Sequence, residues 1–137
     1  MTAVHFTLSA ACIGLANILI EWFITGFLFH KAQSLTPDTW KKESSGSYLY
    51  SIFLAVLFGA LFTLFYIKIG SKYVIAHNLW SHIKLGLMCF AAFSFVTEIN
   101  NFIYINYHRK FAIGKMIASC LSIVAAALIA SHYYWVK

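Results

Sequence analysis

The sequence predicts an all-α, polytopic membrane protein: four transmembrane helices in one bundle, ordered as two repeated helical hairpins. Three observations carry that prediction. The 137-residue chain is 61% hydrophobic and only 10% charged, with a mean hydropathy of +0.77, whereas a soluble domain carries roughly 25% charged residues. Runs at about 8–29, 48–69, 85–106 and 112–135 each reach the ~20 helical residues that cross a hydrocarbon core ~30 Å thick. The stretches between them are too short for a soluble domain, so residues 1–137 read as a single transmembrane domain.

Charge and cysteine content narrow the class further. The formal net charge is +6, but most Lys and Arg residues fall at the ends of the apolar runs, where cations meet lipid headgroups. No basic stripe interleaved with exposed aromatics remains, so nucleic acid is not an expected partner. Cys12, Cys89 and Cys120 lie in separate spans without CxxC spacing and read as packing thiols. The N-terminus lacks the basic region and the small-residue cleavage site of a secretory signal, so the first span is expected to be retained.

Span one places Ala10, Gly14, Asn17, Glu21 and Thr25 at intervals of three and four residues, which puts them on one helical face. A polar stripe on a membrane helix belongs against protein or a water-filled cavity. Leu15, Leu19, Trp22, Ile24 and Phe29 are left for lipid or for other helices, and His30-Lys31 ends the span at headgroup level. The polar segment 32–47 follows. Pro37 after Thr36 suits the first position of a short interfacial helix, with Trp40 at the headgroups. That loop holds no nucleophile–base pair and reads as a connection.

Span two repeats a small residue every fourth place: Ser51, Ala55, Gly59 and Thr63. Such a face lets helix backbones approach closely. The connector 68–84 places Tyr73 and Trp80 at the interface. Span three carries Ser94, Thr97, Glu98, Asn101 and Ile105 along one face. Span four has another small-residue face, Gly114, Ala118, Ser122, Ala126 and Ala130, and ends in the aromatic belt Tyr133-Tyr134-Trp135.

Acid-bearing and small-faced helices therefore alternate. Spans one and three run in the same direction, so the hairpins form a parallel repeat with Glu21 and Glu98 at one depth. An acid in hydrocarbon is costly and is by default a functional hypothesis, and two at one level resist double ionisation. Asn17, Asn100 and Asn101 are hydrogen-bonding partners for either form. Lys115 is the one cation within range; it is expected to snorkel toward the headgroups, with Glu98 as its alternative partner. The candidate substrate- or ion-binding residues are thus Glu21, Glu98, Asn17, Asn101, Thr25 and Lys115. The structural alternative is a pair of neutral acids tying helices together through Asn and Thr.

His5, His77, His82 and His132 share one membrane side. Without HxxxH, ExxH or CxxC spacing they read as interfacial residues rather than metal or haem ligands, and no cofactor is expected. Six cations flank the first and third loops (Lys31, Lys41, Lys42, Arg109, Lys110 and Lys115). Four flank the opposite side (Lys68, Lys72, Lys84 and Lys137). The positive-inside rule then puts the two loops in the cytoplasm and the termini outside.

Glu21-Trp22-Phe23, then Phe27-Leu28-Phe29-His30-Lys31-Ala32 and Leu35-Thr36-Pro37, resembles the first-helix signature of a family of small bacterial four-helix inner-membrane proteins. The likeness covers about twenty residues of the first helix and loop. It implies four helices and a bacterial inner membrane, and it carries no activity. Three classes of function follow from the residues. One is an oligomeric protein that binds or transports a proton, cation or small polar solute through Glu21 and Glu98. Another is an accessory subunit packing through its small-residue faces against other membrane proteins. The third, a membrane enzyme on a lipid-soluble substrate, lacks a thiolate-activating cluster or an arginine-rich pocket.

Overall fold

The computed structural model describes residues 1–39, 45–74 and 78–135. Four helices are long and apolar enough to cross a bilayer: α1 (Ala3–Leu28), α3 (Gly46–Tyr73), α4 (Leu79–Tyr104) and α5 (Arg109–Trp135). A single turn, α2 (His30–Gln33), follows α1, and Pro37–Thr39 forms a 3-10 turn where Thr36-Pro37 is expected to start one. The protein is an all-α, polytopic membrane protein. The expected positions of Trp40, of the charges from Lys41 to Glu43, and of His77 and Lys137 lie outside the described residues.

The helices outrun the apolar cores of their sequences because polar residues cap them. Thr2 accepts a hydrogen bond from the His5 amide at 3.2 Å, so α1 begins at Ala3. Asn78 accepts from both the amide and the hydroxyl of Ser81, each at 2.9 Å. That cap starts α4 at Leu79 rather than near 85, because it satisfies amides that a helix terminus leaves open. Ile105, in an extended conformation, stops the same helix.

α1 packs on α3 and α5, and α4 packs on α5. The small-residue faces make these seams. Ala55, Gly59 and Thr63 of α3 are buried, and a Cβ at Gly59 would run into the Ala10 carbonyl of α1. Every member of the α5 stripe, from Gly114 to Ala130, is buried as expected. Gly86 of α4 meets that helix so closely that a Cβ there would lie 2.8 Å from the Val124 Cα. Packing without side chains in the way is what holds helices together in lipid, where the hydrophobic effect does not drive association. Ser51 departs from the expected face: it is exposed and donates to the Ser47 carbonyl at 3.0 Å, satisfied within its own first turns.

Helical hydrogen bonding widens to i→i+5 in three places: Trp22–Leu28 of α1, Tyr66–Gly70 of α3 and Phe90–Phe95 of α4. The first begins directly after Glu21, and the third ends three residues before Glu98. The first and third loops meet at the same membrane side, where the Thr39 hydroxyl donates to the Asn106 carbonyl at 2.9 Å.

Candidate functional site

Glu21 lies seven residues before the end of α1, Glu98 six before the end of α4, and Lys115 six after the start of α5. At 1.5 Å per residue all three sit about 10 Å inside helix ends on the same membrane side. The expected matching of the two acids in depth is reproduced, and a cation joins them. The Lys115 Nζ lies 4.0 Å from the Glu98 Oε1, with the side chains 31% and 12% exposed. Lys115 therefore turns inward to Glu98 instead of snorkelling outward. Where a carboxylate stands within reach of a four-carbon stem, attraction at low dielectric outweighs the pull of the headgroups.

Ser119, one turn further along α5, donates to the same Glu98 Oε1 at 3.2 Å. The residue is absent from the sequence-based site, although its spacing of four from Lys115 puts both on one face. Glu21 is partnered differently. Its carboxyl group is half-buried and feels the charges of both Lys115 and Glu98 across the helix interface. Yet it makes no hydrogen bond among the described residues.

The remaining predicted residues divide. Thr25 spends its proton on its own helix, donating to the Glu21 carbonyl at 2.6 Å, so it anchors the backbone behind the acid rather than binding the carboxylate. Asn17 and Asn101 are half-buried on the acid-bearing faces without side-chain hydrogen bonds among the described residues. Asn100 is exposed. On α4 the polar face is narrower than expected: Ser94, Glu98 and Asn101 are half-buried while Thr97 and Ile105 are exposed. Thr97 back-bonds to the Phe93 carbonyl at 2.8 Å.

A second polar centre lies toward the other membrane side. His82, expected at the interface, is only 6% exposed. Its Nε2 pairs with the Ser131 hydroxyl of α5 at 2.9 Å and its Nδ1 with the Tyr66 hydroxyl of α3 at 3.3 Å, linking three helices. Tyr66 stacks edge-on against Tyr134. The signal was present in the sequence, because His82, Leu85, Gly86 and Cys89 follow the i, i+3, i+4, i+7 rule of a buried stripe. Nearby, Ser9 and Thr63, both 0% exposed, share a hydrogen bond of 3.0 Å between α1 and α3. Cys12 pairs with the Tyr133 hydroxyl at 3.4 Å, and all three cysteines are free thiols. Ser122 of α5 is the buried side chain without a hydrogen-bond partner among the described residues.

Among the described residues no three His, Cys, Asp or Glu side chains converge as metal ligands would. His5 and His108 are half-buried, His30 and His132 exposed. The chain matches no protein-family model, no curated protein and no solved structure.

Proposed function

We propose that this is a small bacterial inner-membrane protein that binds, and as a homo-oligomer moves, a proton or a small cationic solute at Glu21. One observation carries the reading: the Glu98 carboxyl touches a cation and a hydroxyl, in Lys115 and Ser119, while among the described residues the Glu21 carboxyl at the same level touches neither. A carboxylate in apolar surroundings without a hydrogen-bonded partner favours a proton or cation from outside. Lys115 and Glu98 together are nearly neutral, so Glu21 supplies the net charge of the centre. Asn17, one turn before Glu21, and Asn101, three residues after Glu98, supply amide groups for a polar ligand. Wide helical turns beside both acids support the same reading, since such turns recur at functional sites. One protomer offers little surface for an aqueous path, and a second copy would complete it.

Cation-dependent uptake into proteoliposomes tests this. Glu21→Gln is expected to lower uptake at least tenfold with the fold retained, and Glu98→Gln to lower it less. Equal uptake by all three proteins would overturn the proposal. The accessory-subunit alternative draws on one observation: α4 docks chiefly on α5, leaving helix faces for a larger assembly. It predicts no flux from any variant and co-purification with other membrane proteins in mild detergent.

A further inference from the structure

Because α4 docks on α5, a cleft stays open between α3 and α4. It consists of two adjoining hollows of about 390 Å³ and 240 Å³ that share Phe65, Cys89 and Phe93 as walls. The lining is mostly apolar, with Tyr73, Ser81 and Lys84 at the end nearest the connector between the two helices. Lys68 and Lys72 are exposed at the same membrane side, on the last turns of α3. Among the described residues no acid answers them: Glu21, Asp38 and Glu98 belong to the first loop or to the half of the bundle next to it.

We infer that this cleft is a seat for an anionic phospholipid, its phosphate on Lys84 and one acyl chain laid along Phe65, Cys89 and Phe93. The shape suits a lipid tail, because an unbranched chain needs only a narrow apolar trough that ends at a cation. Charge decides the headgroup, because a basic pocket between membrane helices with no neighbouring acid favours a net negative lipid. The seat is independent of Glu21, which lies near the opposite side.

Native mass spectrometry of the full chain in mild detergent tests this with phosphatidylglycerol and phosphatidylcholine of identical acyl chains. Phosphatidylglycerol is expected to be retained preferentially. Lys84→Gln should weaken its retention about fivefold, the effect of one cation near a headgroup, and Lys84→Arg should restore it. Ala92→Trp, at an exposed position that lines the larger hollow, should displace both lipids, while Lys110→Gln on the other membrane side should change nothing. Equal retention of the two lipids by the native protein would mean annular lipid only and overturn the proposal. So would phosphatidylglycerol retention that ignores both Lys84→Gln and Ala92→Trp.

Discussion

The two polar centres of this bundle solve the same problem in opposite ways. Around His82 every ring nitrogen has a partner, and Tyr66, His82 and Ser131 come from three helices. Around Glu98 the helices α4 and α5 are tied by Lys115 and Ser119, while the Glu21 carboxyl on α1 has no hydrogen bond among the described residues. A sealed, satisfied network in a low-dielectric interior specifies packing. A half-buried acid with unused lone pairs holds capacity for something else. The histidine centre is the bolt of the fold, and the acid centre is its candidate site.

That contrast is open to attack from both sides. The largest effect is expected for His82→Ala, which leaves two buried hydroxyls facing a cavity. Unfolding in detergent should show a loss of about 2–4 kcal/mol, with solute uptake by the surviving fold unchanged. A loss below ~0.5 kcal/mol would mean the network does not hold the helices. Glu21→Gln should give the reverse pattern: uptake down at least tenfold and stability shifted by less than about 1 kcal/mol, since no hydrogen bond is broken.

Lys115→Met probes the middle ground. Losing the cation leaves the half-buried Glu98 carboxylate without its ion partner and should destabilise the bundle by about 1–3 kcal/mol. It should also weaken discrimination against anions, read as uptake of cationic against anionic solutes. Ser122→Ala is expected to do least. Its hydroxyl is buried without a partner among the described residues, so its removal should leave stability unchanged or raise it by up to ~1 kcal/mol, measured in the same unfolding assay.

The legible part of the site was the part written in helical period. Glu21 and Glu98 stand on polar stripes, and the small residues from Gly114 to Ala130 mark the α5 seam by their spacing alone. Residues whose role depends on a partner helix were read less well. Lys115 has two destinations from one Cα, and only the position of α4 chooses between Glu98 and the headgroups. Thr25 shares the face of Glu21, but its hydroxyl reaches a backbone carbonyl first. His82 follows a buried stripe, yet its closeness to a helix start argued for the interface.

By itself the amino-acid sequence determined the class, the number of spans and the faces on which helices meet. Those follow from hydrophobic length and from periods of three and four, which are properties of one helix in lipid. Tertiary structure alone decided which polar groups are satisfied, that α3 and α4 leave a cleft between them, and that Glu98 rather than Glu21 takes the lysine. Partner choice depends on interhelical distances of a few ångströms, and no period along a single chain encodes those.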